Sequence, residues 1–243
     1  PEDSAELESA LASYLAAVPA PPSGAPAPKA LIVPHAGFVY SGPVAASAYA
    51  RIAGQRPTIR RVVLLGPSHR IPLHGLAASS ADAFETPLGA VPLDREAIDQ
   101  LLDFPQVQIF DAAHREEHSL EVQLPFLQYV LEDFSLVPLS VGEAEPEEVG
   151  EVIERLWGGP ETLFVVSSDL SHYYDYETAR RLDTTTSRAI EAPGAGALGR
   201  GSAVGRAPAR GLLAAANRHG LSGETVDLRS SGDTAGDKRR VAG

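Results

Sequence analysis

The sequence predicts an α/β fold: a single domain with a mostly parallel central sheet and helices on both faces. Three observations predict it. Short aliphatic runs bounded by Gly, Pro or Ser alternate along the chain with stretches of helical period. The runs ALIVP (30–34), RRVVLLGPSHR (60–70), SLVPLSVG (135–142) and TLFVVSSDLSHY (162–173) are continuous rather than alternating in their apolar cores, as strands buried on both faces are. No fixed-period repeat and no obvious linker divides the 243 residues, so one domain over 1–243 is expected.

In order along the chain, residues 4–18 carry Leu7, Ala10, Leu11, Leu15 and Val18 as a helical stripe, and the Pro/Ala-rich stretch PAPPSGAPAPKA (19–30) follows as a connector. After the first strand, Ser41 and Pro43 suit an N-cap region and an early helical proline, opening a helix through PVAASAYARIAG. The second aliphatic run ends in Gly, Pro, Ser and His. HGLAASSADAFETPLGAVPLD (74–94) reads as strand, loop and strand with Pro87, Leu88 and Gly89 in a turn, and REAIDQLLDF as a short helix. SLEVQLPFLQYVLEDF (119–134) is helical, but Pro125 breaks a continuous ladder, so one turn after Ser119 and a fresh or kinked helix from Pro125 are expected. Helices PEEVGEVIERLW, DYETARRLDTTTSRAIEA and PARGLLAAANRHG come between and after the last two long strands. TVDLRSS (225–231) reads as a strand, GDTAGDK as a turn and VAG as the stub of a final strand.

The formal net charge is −12, from 20 Lys plus Arg against 32 Asp plus Glu, which argues against a nucleic-acid or anionic-membrane surface. There is no cysteine, so disulfides and thiolate metal sites are excluded. No apolar run approaches a membrane span, and the beginning of the chain has no basic region followed by an apolar stretch; a soluble, cytoplasmic protein is expected.

The polar residues that end the strands carry the functional signal. His35 follows IVP, His69 follows VLLGPS, and Asp169 and His172 follow FVVSS. Ligands of open parallel sheets bind beyond the carboxyl ends of the strands, so these turns are expected to converge on one edge. Two neutral imidazoles (His35, His69) with Asp169 would suit non-heme iron, leaving His172 as an acid/base. Zinc with a bound water is a chemically permissible alternative, and spacing does not choose between metals. Tyr40 and Ser68 are candidate substrate-pocket residues, while Gly37, Gly42 and Gly66 suit sharp turns or close approach. His118, ahead of a helix whose first turn holds Glu121, reads either as a site residue or as a structural histidine. His74, His114 and His219 have no such placement.

The motifs VPHAGFVYSG, LLGPSH, EHSLEVQLPFLQ, SSDLSHY and SGDTAGDK, in this order, resemble those of the Memo-like family, whose bacterial members are named AmmeMemoRadiSam system protein B. The resemblance implies a fold similar to class III extradiol ring-cleaving dioxygenases, which hold Fe(II) with two histidines and a glutamate. It implies a pocket of two histidines and a cysteine, with the histidines matching His35 and His69, and with Asp169 and His172 matching the SDxSH motif. The cysteine's place, in AVGRAPARGLL, is taken by Val204, which has no donor atom. The expectations are therefore a redox or dioxygenase-like centre with Fe(II) or another divalent transition metal, a binding module for a small molecule or peptide that has lost the metal, or a zinc-type hydrolase. The family name further implies a radical-SAM partner protein.

Overall fold

The computed structural model describes residues 2–22, 24–192 and 207–243. Strands β1 (Ala30–Val33), β2 (Arg61–Pro67), β3 (Leu76–Ala78), β6 (Val107–Ile109), β7 (Ser135–Val141) and β8 (Thr162–Ser167) form the central sheet, in the order β1-β8-β2-β7-β3-β6. β1, β8, β2 and β7 run parallel; β3 is antiparallel to β7 and parallel to β6. The expected α/β architecture with a mostly parallel sheet is therefore present.

Successive residues of a strand face opposite sides, and here each side has its own core. Val62 and Leu64 of β2 pack with Leu31, Val33, Leu163 and Val165 under α1 (Ser4–Ala16), α2 (Phe38–Tyr49) and α6 (Leu124–Val130). Val63 and Leu65 pack with Val137, Leu139, Phe164 and Val166 under α3 (Arg95–Leu101), α7 (Pro146–Arg155) and α9 (Ala207–Arg218). Burial on both faces is why these strands read as continuous apolar runs. No helix among the described residues is long and apolar enough to cross a membrane.

Several elements differ from expectation. α2 begins at Phe38, because the Gly37 carbonyl accepts the Tyr40 and Ser41 amides (2.8 and 3.1 Å) and closes a turn before Pro43 is reached. Pro43 therefore sits inside the helix, and the buried Ser41 donates its hydroxyl to the Ala36 carbonyl instead of acting as the N-cap. The segment from Ser119 is as expected, a single turn, α5 (His118–Glu121), followed by a fresh helix, α6, with Pro125 in its first turn; a further short helix, α4 (Ala112–Arg115), precedes them. The run 162–173 is not one strand; β8 ends at Ser167, and β9 (His172–Tyr174) pairs antiparallel with β10 (Val241–Ala242). The segment 74–94, expected as strand, loop and strand, holds three strands: β3 joins the central sheet, and β4 (Ala83–Thr86) and β5 (Gly89–Pro92) pair antiparallel about the expected turn at Pro87 and Leu88.

TVDLRSS is not a strand. Its polar groups bond helices instead of a sheet edge: Asp227 accepts the Ser47 hydroxyl (2.7 Å), Thr225 donates its amide to Glu191 (2.7 Å), and Arg229 donates to the Pro43 carbonyl (3.0 Å). GDTAGDK contains part of a short helix, α10 (Ser231–Thr234), after α8 (Tyr176–Glu191) and α9.

At the amino edge of the sheet, Asp94 caps α3 through the Ala97 amide (2.9 Å) and accepts Arg61 Nε (2.7 Å) from the start of β2. Asp94→Ala is expected to lower stability by about 1–2 kcal/mol in urea unfolding, the usual cost of a lost N-cap. Because this edge is opposite the strand ends that carry His35 and His69, the substitution should leave any metal binding there unchanged.

Candidate functional site

β1, β2 and β8 point their carboxyl ends the same way, so the turns after Val33, Pro67 and Ser167 share one edge. These turns carry His35, His69 and Asp169. A fourth contribution comes from α5. Its Ser119 hydroxyl donates to the Pro67 carbonyl (3.1 Å), seating the helix on the end of β2 and bringing His118 to the same place.

Among the described residues, the group suited to hold a metal ion is His35, His69 and His118, which each offer a ligand atom within 4.8 Å of the others. The ring centroids of His35 and His69 are 5.2 Å apart, those of His35 and His118 5.6 Å, and those of His69 and His118 5.2 Å. His35 is buried at 2% exposure, whereas the side chains of His69 and His118 are 26% and 51% exposed, so the trio is open on one side. His118, open between two readings in the sequence, thus stands third in this group, where the sequence pattern had set Asp169.

Beneath it lies Glu117, whose side chain is 1% exposed. Its carboxylate accepts the His69 amide (2.6 Å), His69 Nδ1 (2.9 Å) and the Ser119 amide (2.9 Å), and lies 3.4 Å from His118 Nδ1. Burial opposes the charge, but the hydrogen bonds from His69 and Ser119 and the nearby positive charge of His69 outweigh it and hold the carboxyl down at about 2. An anion that engages Nδ1 of an imidazole orients the ring and raises the basicity of its other nitrogen, the usual support of a metal-ligating histidine.

Asp169 and His172 form a neighbouring pair. Asp169 Oδ1 accepts the amides of His35 (2.7 Å) and Ala36 (3.3 Å), and Oδ2 lies 3.3 Å from His172 Nε2 and 3.7 Å from His35 Nε2. Burial raises its pKa, but the His172 hydrogen bond and the adjoining His35 ring and amide together leave it below the ordinary carboxylate range. The loop between them is clamped from α8, where the buried Asp183 accepts both the amide and the hydroxyl of Ser171 (3.0 Å each). Tyr173, next to His172, has φ 63°, a left-handed conformation rare outside glycine and found where surrounding contacts impose it.

Of the other candidates, Tyr40 is half exposed and lines a small recess together with Asp169. Ser68 uses its hydroxyl to close a turn onto the Ile71 carbonyl (2.7 Å) and borders a cavity of about 500 Å³ beyond β2 and β7. Val204 lies outside the described residues. His219 stacks on Trp157 (3.9 Å) and pairs with Glu154, away from this edge.

A family model described as Memo-like protein matches residues 1–243. A MEMO1 family protein of Aquifex aeolicus (strain VF5) is 38% identical over 225 residues, covering 88% of this chain and 83% of that protein. One from Methanococcoides burtonii is 38% identical over 219 residues, covering 85% and 81%. Among solved structures, an uncharacterized protein from Escherichia coli K12 aligns with a TM-score of 0.47 and 14% identity over 77% of this chain and 87% of its own.

Proposed function

This chain belongs to the Memo-like family, and from that premise we propose that it binds a divalent transition metal through His35, His69 and His118 and uses it for redox, dioxygenase-like chemistry on a small substrate. The observation that supports this most is the three-imidazole group, two of whose rings, His69 and His118, lie against the buried Glu117 carboxylate. The donor set fits such an ion: with no cysteine in the sequence the ligands are nitrogens, and imidazole suits iron, zinc, copper and nickel. Bound there, the metal would supply a Lewis acid and coordination positions for oxygen, water or substrate.

The chain's own groups would supply the rest. Glu117 holds the rings of His69 and His118. Asp169 faces His172 Nε2 at 3.3 Å and would orient that ring to hold or pass a proton at the edge of the site through its other nitrogen, Nδ1. The exposed side of His118 leaves room for a substrate to approach. A second reading, a zinc-type hydrolase, is favoured by one observation: three histidines with an open position are a known catalytic zinc set.

Elemental analysis after anaerobic loading with Fe(II) or Zn(II) tests the proposal, with His35→Ala/His69→Ala as control. Near-stoichiometric metal in the parent and little in the double variant is expected. Metal absent from both, or equal in both, would sink it and leave a ligand-binding pocket. Oxygen uptake by the Fe(II) form with a catechol separates the redox reading from hydrolysis, which would proceed anaerobically with Zn(II).

A further inference from the structure

A buried polar network behind the site fixes the hydrogen-bonding role of His35 Nδ1. Gln123, Ser119 and Ser167 are all essentially inaccessible to water, and so is Tyr49, whose ring stacks on Phe126 at 4.9 Å. Two backbone carbonyls set the direction of the chain of bonds, because a carbonyl can only accept. The Pro34 carbonyl takes a hydrogen from Gln123 Nε2 (2.9 Å), which places the amide oxygen toward Tyr49, whose hydroxyl donates to it (2.8 Å). The other Nε2 hydrogen goes to Ser167 Oγ (3.0 Å). The Ser119 carbonyl takes the single hydrogen of the Ser167 hydroxyl (2.5 Å). Ser167 Oγ has then spent its donor, and its remaining contact, His35 Nδ1 at 3.2 Å, is satisfied only if that nitrogen carries a hydrogen.

We infer that Ser167, backed by Gln123, is a positioning residue that holds His35 as its Nδ1–H form and so presents Nε2 as the donor nitrogen of the site. Only the last step, that Nε2 meets a metal, rests on the function proposed above. The same network ties His35 to the other two histidines. Ser119 accepts from Ser167 through its carbonyl and donates its amide to Glu117, which engages Nδ1 of His69 and lies beside Nδ1 of His118. A shift of Ser167 is therefore a shift of the whole set. Flipping His35 to the Nε2–H form would put two acceptors against each other inside the core, or would leave the Ser119 carbonyl without a donor, either of which is costly in a buried network.

The test reads the tautomer directly, by nitrogen NMR of the His35 ring in the metal-free full chain. The wild-type protein is expected to be Nδ1–H. Ser167→Ala should shift His35 toward Nε2–H and weaken Zn(II) binding by about 10- to 100-fold, the usual effect of losing an outer partner of a metal ligand. Ser167→Thr, which keeps the hydroxyl, should retain both properties. A change of stability alone, with the tautomer and the Zn(II) affinity of folded Ser167→Ala as in the parent, would overturn the inference. So would an Nε2–H ring in the wild type, a result that stands whether or not the variants fold. Wild-type protein that is Nδ1–H yet takes up no Zn(II) would sink the metal reading while supporting this assignment. Wild-type protein that binds Zn(II) through His35 but is Nε2–H without metal would do the reverse.

Discussion

Glu117→Gln is expected to destabilise the metal-free protein by about 3 kcal/mol at neutral pH and to weaken divalent-metal binding by about 10- to 100-fold. The carboxylate is buried and gathers the His69 amide, His69 Nδ1 and the Ser119 amide, with His118 Nδ1 at 3.4 Å. Glutamine keeps one acceptor and replaces the other with an NH2 that must face N–H groups, so donors meet donors in a place water does not reach. The sign of the pH dependence follows from a carboxyl held down at about 2. A depressed folded-state pKa contributes stability that is complete above the unfolded value, about 4.3 for glutamate, and drains away as pH falls toward 2. Urea unfolding of parent and variant at about pH 7 and about pH 3 should therefore show the gap between them shrinking by roughly half in acid. A gap that stays constant would mean that Glu117 stabilises the fold by packing, not by charge.

What could be read in the sequence, and what could not, divides along a physical line. The turns bearing His35, His69, Asp169 and His172 were legible because a parallel sheet has a direction, so the end of each aliphatic run is also a position in space. Glu117 and the place of His118 were not, because α5 is a single turn whose seat is set by a contact with β2, more than fifty residues earlier. Gln123 did leave a trace: it is a polar residue one helical turn from Leu120 and from Leu127 in an otherwise apolar stripe, the kind of position that signals a buried network. TVDLRSS misled for the converse reason. Alternation shows that a segment can be a strand, but a strand also needs a neighbouring edge, and here Asp227 and Arg229 are held by α2, leaving Val226 and Leu228 exposed. Pro43 misled similarly: it suits a helix's first turn, but the turn closed by the Gly37 carbonyl starts α2 at Phe38 and leaves the proline inside the helix.

Gly66→Val is expected to lower stability by about 3 kcal/mol and to cost the site its metal affinity, although Gly66 itself offers no ligand atom. Gly66 lies in β2 under α5, and a Cβ added there would meet Ser119 Oγ at 2.7 Å and Leu120 Cδ2 at 2.8 Å. Leu120 is core, and Ser119 bonds Pro67, Glu117 and Ser167 at once, so neither can yield alone. The strain is relieved only by lifting α5 from the strand, which carries Glu117 and His118 away from His35 and His69. Gly37→Ala is the natural control. It sits on the same edge of the sheet, its backbone φ is −53°, and an added Cβ there meets nothing within 4 Å. Stability and metal affinity should fall together in Gly66→Val and hold in Gly37→Ala, by thermal unfolding and Zn(II) titration. A folded Gly66→Val with parental affinity would show that α5 does not set the metal geometry, and would remove His118 from the ligand set.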